Sequence, residues 1–535
     1  MEQITMMLIR NLPRKTSMNN YPRALIILII VVFILGSSLS CAKSGIEEFQ
    51  PAYWPTEIWE HTIPEEQGMD SAQLVRMFEY IEDNDIHLHS LLIVRNGYVV
   101  TEAYWHPYGP NDRHTIESIT KPIVGTLIGI AIDRGEIEST KQKLVDFFPN
   151  RDIQNLDNDK KSITLGNLLS MTPGLDCADT TTLDGVNRAD DWVQYFLDLP
   201  MSSKPGKRWI YCSGASHLVS AVLQSETGMD ARTYANQNLF VPIEISQVDE
   251  QDWESDHQGL TNGIAGLYLM PRELAKFGFL YLNKGRWDGK QIVSAQWVDE
   301  STREHAYIGE DDYVGGLDRR FGYLWSIFPD QKYYGYLGMA GQELFVLPQQ
   351  KMVVVFTGAL EVGKEGILLN LINDYIVPSV RSENAIPSNL EANASLESFV
   401  QSASGSKQPV PDLPNMALNI SDKTYRLESN FLGWSDMTFH FDPGSEDAIL
   451  KMSGSPDLKI GLDNRYRLTD SPNGRPIGLR GKWIDSSTFY LDYIVFGDFI
   501  RSEARIVFDE DKITVTITYL NWNSPPIVLR GNRLE

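Results

Sequence analysis

Ser118 and Lys121 stand three residues apart in Ser118-Ile119-Thr120-Lys121, with Pro122 directly after. On a helix such a pair shares one face. An amine placed there can take the hydroxyl proton and leave a nucleophilic oxygen. Pro122 fixes where the helix begins, because proline is tolerated only in a first turn, where its missing N–H is no loss. The amino-terminal end also presents unpaired N–H groups that favour a developing oxyanion. The chemistry on offer is acyl transfer through a covalent serine intermediate. The tetrapeptide alone is weak evidence. The same spacing recurs at Ser404 and Lys407 in a Ser- and Pro-rich stretch, and a capping serine beside a solvated lysine satisfies it equally well.

Other chemistries find less support. His87, His89, His106 and His114 cluster in sequence, but no carboxylate stands at ligand spacing, so they read as surface or core histidines and no metal site is expected. There is no phosphate-binding glycine loop or dinucleotide fingerprint, and no cofactor is expected. The formal net charge of -24 repels a phosphate backbone, which argues against nucleic acid as a partner. Three cysteines, Cys41, Cys177 and Cys212, make no disulfide framework. A Cys177–Cys212 bridge is open to a chain outside the cytoplasm; two buried free thiols are the preferred reading.

The elements that must position Ser118 follow from the patterning. At 535 residues the chain is too long for one core. Arg10, Arg14, Lys15 and Arg23 precede an apolar run from Ala24 to Leu35, and small residues lead to Cys41. This reads as an export signal or membrane anchor over 1–42, with Cys41 a lipidation candidate. Either way the rest of the chain is expected outside the cytoplasm, held at a membrane. Residues 43–65 read as a tether. Residues 66–380 read as an α+β domain. Asn96-Gly97 between two β-rich runs signals a hairpin, and helices are expected after Ser118, at Thr164–Ser170 and from Pro271 to about Asn283. Leu344–Leu347 and Met352–Phe356 read as buried strands, and Ile367–Tyr375 as a last helix. Residues 381–414 turn to Ser, Asn, Ala, Gln and Pro and read as a linker. Residues 415–535 alternate in short runs, which signals an all-β barrel or sandwich.

Further segments place Ser118 in a pattern. They are Ile163 to Leu175, Pro205 to Gly214 with Tyr211-Cys212-Ser213-Gly214, Gly263 to Gly278, and Gly338-Met339-Ala340-Gly341-Gln342. In this order and spacing the chain resembles the class C β-lactamase-like serine hydrolases, and within them the 6-aminohexanoate-dimer hydrolase and esterase branch. The resemblance spans about residues 60–380. It implies the antiparallel sheet and all-helical subdomain of β-lactamases and penicillin-binding proteins. It also implies Ser118 as nucleophile, Lys121 as base, Tyr211 as proton shuttle, and the Ser118 and Gln342 backbone N–H groups as oxyanion hole. Ser213, Met339 and Gly341 become candidates for the substrate pocket. Two positions depart from the pattern. Ser213 stands where many relatives carry Asn. Met339 stands where β-lactamases and penicillin-binding proteins carry a cation, so an anchor for a substrate carboxylate is missing there. The expected substrate is a small carboxylic ester or simple amide, with D-amino-acid peptidase or weak β-lactamase activity as the runner-up. A non-catalytic binding or scaffold protein that keeps the fold is the rival from another class. Oligomeric state is left open.

Overall fold

Two residues of positive φ set the first hairpin. Asn96 (φ 52°) and Gly97 (φ 96°) form the turn between β1 (Leu88–Arg95) and β2 (Tyr98–Tyr104), the conformation an Asn-Gly pair adopts with least strain. The structure, a computed structural model, describes residues 51–308, 317–471, 474–509 and 511–534. The sheet continues with β3 (Ala306–Tyr307), β4 (Arg320–Phe321), β5 (Ser326–Phe328), β6 (Tyr333–Gly338), β7 (Gln342–Leu347) and β8 (Met352–Gly358). Its order is β2-β1-β8-β7-β6-β5-β4-β3. All its pairings are antiparallel, and β1 meets β8 in a register that sets Leu91 opposite Phe356. Every residue of β1, β7 and β8 is buried, because helices cover both faces there.

On one face α1 (Ser71–Asp83) packs with a helix over 366–379 that contains a π turn at Leu371–Ile376. Leu74, Met77 and Phe78 of α1 share a core with Leu91, Ile93, Val354, Phe356, Leu368 and Ile372. Between β2 and β3 the chain builds a helical subdomain around α2 (Thr120–Asp133) and α3 (Ser213–Thr227). Residues Thr120 to Ala131 of α2 are all buried, so this helix is surrounded by protein rather than amphipathic. The expected helix at Thr164–Ser170 is there: Thr164 caps Leu165–Leu169 in a reciprocal box with Asn167. α4 (Pro271–Leu282) lies on the opposite face of the sheet. A Cβ at its Gly278 would come within 2.6 Å of Val353 Cγ1 and 2.9 Å of Leu344 Cδ1, so only glycine permits this helix–sheet approach.

Two segments differ from expectation. The stretch 381–414 holds a helix, α5 (Leu390–Ala403), docked on α1 and β2. Its composition is polar, but Leu396, Phe399, Val400 and Ala403 form one narrow apolar stripe on the core. The later part of the expected tether is packed as well. Trp59 is 4% exposed, and both Trp54 and Trp59 meet the Phe279 ring. The expected export or anchor segment 1–42, with Cys41, lies outside the described residues. No helix among the described residues is long and apolar enough to cross a membrane.

The carboxy-terminal region is a barrel with its own core. Its strands are β9 (Thr424–Leu427), β10 (Asp436–Phe441), β11 (Asp447–Met452), β12 (Leu458–Gly461), β13 (Arg467–Thr469), β14 (Ile477–Trp483), β15 (Thr488–Val495), β16 (Arg501–Asp509), β17 (Lys512–Tyr519) and β18 (Ile527–Arg533). The order is β12-β11-β10-β9-β18-β17-β16-β15-β14-β13. A parallel bridge between Gly461 of β12 and Arg480 of β14 closes a ring of nine strands and leaves β13 outside it. Closure leaves the ring without an open edge.

Candidate active site

Ser118 sits in a 3-10 turn, Glu117–Ile119, that runs straight into α2 with Pro122 in its first turn. Ser118 is partly exposed, whereas Lys121 is fully buried. Lys121 Nζ lies 3.0 Å from Ser118 Oγ and donates to Ile264 O at 2.8 Å. Tyr211 OH donates to the same Ser118 Oγ at 3.1 Å, and Lys121 Nζ stands 5.2 Å from the centre of its ring. The three residues nominated from sequence therefore converge on one oxygen. Tyr336, on β6, was not nominated. Its hydroxyl is 3.4 Å from that of Tyr211, which extends the polar chain into the sheet. The alternation Tyr334, Tyr336, Gly338 along β6 was the only sequence signal for it.

Tyr211 is held by the two residues that follow it. Cys212 is bonded to Cys177, with Cα atoms 5.4 Å apart, so the preferred reading of two free thiols is corrected. Spacing could not show this, because the two cysteines meet only when 177–179 folds over the start of α3. Ser213 is pinned to the same segment: its N–H and hydroxyl donate to Asp179 at 2.6 and 2.5 Å. The Ser213 hydroxyl thereby helps to anchor the start of α3 to Asp179. Bridging residues 35 apart restricts the unfolded chain by about 3–4 kcal/mol. The double substitution Cys177→Ala and Cys212→Ala is expected to lower the unfolding free energy by roughly that amount in urea titrations without reductant.

The Gly338–Gln342 turn joins β6 to β7 and lies against the Ser118 turn. A Cβ at Gly338 would stand 3.1 Å from Ile116 O. Ala340 adopts φ 58°, and the buried Gln342 side chain holds the turn by donating to Met339 O at 3.0 Å and Gly358 O at 2.9 Å. Met339 is 39% exposed, and Gly341 is buried against Leu360 and Leu368.

The barrel grips both halves of this site. Thr115 N–H donates to Gly497 O at 2.7 Å in the β15–β16 turn. Gly497 has φ 81°, and a Cβ there would meet Arg113 O at 2.8 Å. Phe496 stacks on Tyr108 with ring centres 5.0 Å apart. On the other half, buried Asn521 donates to Leu360 O at 3.1 Å, and Leu360 N–H donates to Ala340 O at 3.0 Å.

Glu117, next to Ser118, has φ 45°, a costly conformation for a side-chain-bearing residue. Burial pushes its carboxyl up to about 7 from the ordinary 4.5, partly offset by the Thr115 hydroxyl that donates to it; Asp498 of the barrel adds to the rise. The folded state therefore holds this proton more tightly than the unfolded chain. Its contribution to stability is present below about pH 4.5, falls as pH rises towards 7, and then levels off. Glu117→Gln is expected to remove this loss. Between pH 4.5 and 7 the melting temperature of the wild type should fall relative to the variant; parallel curves would assign the pH dependence to other groups.

The histidines that cluster in sequence are not gathered around one centre with carboxylates. His89 and His114 are buried and bonded to each other at 2.8 Å. Among the described residues, no three or more His, Cys, Asp or Glu side chains come together as a metal site.

An antiparallel sheet covered by helices, a helical subdomain carrying Ser118 and Lys121, and Tyr211 beside them define a hydrolase of the β-lactamase superfamily. Residues 73–366 match the profile of the beta-lactamase family, and the chain belongs to that family. It is similar to the 6-aminohexanoate-dimer hydrolase of Paenarthrobacter ureafaciens, 22% identical over 286 residues that cover 50% of this chain and 71% of that protein. It is 25% identical to an uncharacterized protein of Alkalihalophilus pseudofirmus, over 50% of this chain and 82% of that one. A crystal structure from Bacteroides dorei, described as a candidate beta-lactamase, superposes with a TM-score of 0.50 at 16% identity, covering 58% of this chain and 99% of that chain. The fold is thus shared where sequence identity is low.

Proposed function

We propose that the chain is a serine hydrolase that cleaves a carboxylic ester or simple amide through an acyl-enzyme on Ser118. The observation that carries this reading is the convergence of Lys121 Nζ and Tyr211 OH on Ser118 Oγ. Lys121, as the neutral amine, takes the hydroxyl proton while Oγ attacks the carbonyl carbon. The backbone N–H groups of Ser118 and Gln342 bind the resulting oxyanion. Tyr211, backed by Tyr336, hands a proton to the leaving group. Water then attacks the acyl-enzyme, with the same groups working in reverse, and the acid leaves.

Substrate preference turns on charge. Met339 supplies no cation, which argues against β-lactams and stem peptides whose carboxylate needs one. Loss of one charge-assisted hydrogen bond costs about 1.5–3 kcal/mol, enough to shift preference. Cations stand elsewhere: Lys207 and Arg208, together with the aromatic rings of Trp209 and Tyr307, line a cleft of about 540 Å3 that also reaches Tyr211. The Cys177–Cys212 bridge supports an oxidising, extracytoplasmic location.

A substrate panel tests the reading: p-nitrophenyl esters, D-amino-acid amides, linear amide oligomers and nitrocefin, offered to the folded chain after labelling with a fluorophosphonate. Labelling with turnover of esters or simple amides above nitrocefin is expected. A folded chain that neither labels nor turns over any of these is a binding or scaffold protein, and the proposal fails.

A further inference from the structure

A second cavity, of about 360 Å3, lies between the hydrolase sheet and the barrel. None of Ser118, Lys121, Tyr211 or Gln342 lines it. Its wall on the hydrolase side includes Leu88 and Trp105, and Ile494 faces them from the barrel. Two arginines from adjacent barrel regions, Arg480 on β14 and Arg501 on β16, reach the same space, with His87 beside them.

The arginines are not matched in charge. Both engage one carboxylate, Asp492, which is 1% exposed. Arg480 donates to it at 2.9 and 3.1 Å, Arg501 at 3.4 and 3.5 Å, and Tyr466 OH adds a bond at 2.9 Å. No other carboxylate pairs with either arginine among the described residues. Two guanidinium groups on one carboxylate leave one positive charge without a counter-ion. The donors are in surplus too: Arg501 Nη1 is buried and has no acceptor among the described residues. Leaving a buried charged donor unpaired is costly.

The acidic groups nearby do not cancel this charge. Glu82 and Asp85 also line the cavity, but both are exposed. Asp85 is 89% exposed at its side chain and stands 3.4 Å from His87 Nε2. Charges in water are screened, whereas those at the floor act through a medium of lower dielectric.

We propose that this cavity binds a small organic anion: a carboxylate seated on Arg501 and Arg480, carried by a compact apolar body against Trp105, Leu88 and Ile494. The size suits such a ligand, since binding cavities begin at about 300 Å3 and combine apolar walls with a few placed polar groups. A planar carboxylate also matches the fork of a guanidinium.

The test is calorimetric titration of the full chain with three probes. Benzoate has the charge and the apolar body, inorganic phosphate the charge alone, and benzamide the body alone. Saturable benzoate binding is expected, at least about tenfold tighter than phosphate or benzamide. Arg501→Gln should weaken it by at least about tenfold, and Arg501→Lys by less. Ala403→Trp fills the apolar end without touching the arginines and should also abolish it, which keeps the test open if Arg501→Gln fails to fold. Lys207→Gln with Arg208→Gln should leave it unchanged. Absence of saturable benzoate binding at millimolar concentration overturns the proposal. So does phosphate or benzamide binding as tightly as benzoate, or benzoate binding that survives Ala403→Trp or depends on Lys207 and Arg208.

Discussion

Ser118→Ala is expected to abolish fluorophosphonate labelling and to lower ester turnover by roughly 10^4-fold or more, the scale seen when a serine nucleophile is removed from a working site. The substitution is well suited to the purpose. It deletes one hydroxyl at a partly exposed position. The two groups that lose their partner keep another: Lys121 Nζ retains Ile264 O at 2.8 Å, and Tyr211 OH retains Tyr336 OH at 3.4 Å. Stability should therefore change by no more than about 1 kcal/mol, so that lost activity reports chemistry rather than unfolding. Labelling that persists in the variant would move the nucleophile elsewhere. Ser404, which shares the spacing, and Ser213, near Tyr211, are poor substitutes. Ser404 caps the end of α5 and donates to Gln401 O at 2.6 Å, while Lys407 pairs with Glu446 at 2.5 Å. Ser213 is bonded to Asp179.

That contrast shows how far the sequence could be read. Ser118/Lys121 and Ser404/Lys407 have the same spacing, and what separates them in sequence is the helix start fixed by Pro122, then Tyr211 and the Gly338–Gln342 segment in family order. Local signals did as well elsewhere. The Asn96-Gly97 turn, the helix opened by Pro271 and the alternation in β10 and β17 all depend on a few neighbouring residues, and each is present. What failed depends on residues far apart. The Cys177–Cys212 bond, the Tyr211–Tyr336 pair and the packing of α5 arise when distant segments meet. The polar composition of 381–414 hid a stripe only four residues wide. Least legible was the barrel's part in the site. Gly497 and Asn521 sit in turns whose local sequence marks only a reversal, yet they hold Thr115 and Leu360 on either side of Ser118. The barrel is thus continuous with the site it was expected to accompany.

Replacing Lys121 should separate the two proton carriers. Lys121→Met keeps most of the buried stem and removes the amine. Loss of a general base is worth about 10^2- to 10^4-fold, and that loss should appear in acylation, as the rate of fluorophosphonate labelling and as kcat/KM for every ester and amide tested. The variant leaves Ile264 O without its donor, so its unfolding midpoint must be measured alongside; a stable variant that acylates within a few-fold of wild type rules out the Ser118–Lys121 dyad. Tyr211→Phe provides the contrast. It keeps the ring beside Lys121, 5.2 Å from Nζ to centroid, and removes only the hydroxyl. If Tyr211 serves the leaving group, the cost should depend on what leaves. A p-nitrophenyl ester expels a stable anion that needs no proton, so its acylation should fall little. An amide must expel a protonated amine, so its turnover should fall about 10^2-fold or more. Equal losses on both substrates would instead give Tyr211 a role in the attack step, through its hydrogen bond to Ser118 Oγ at 3.1 Å. The two variants thus assign proton removal and proton delivery to different atoms, and each assignment can fail without the other.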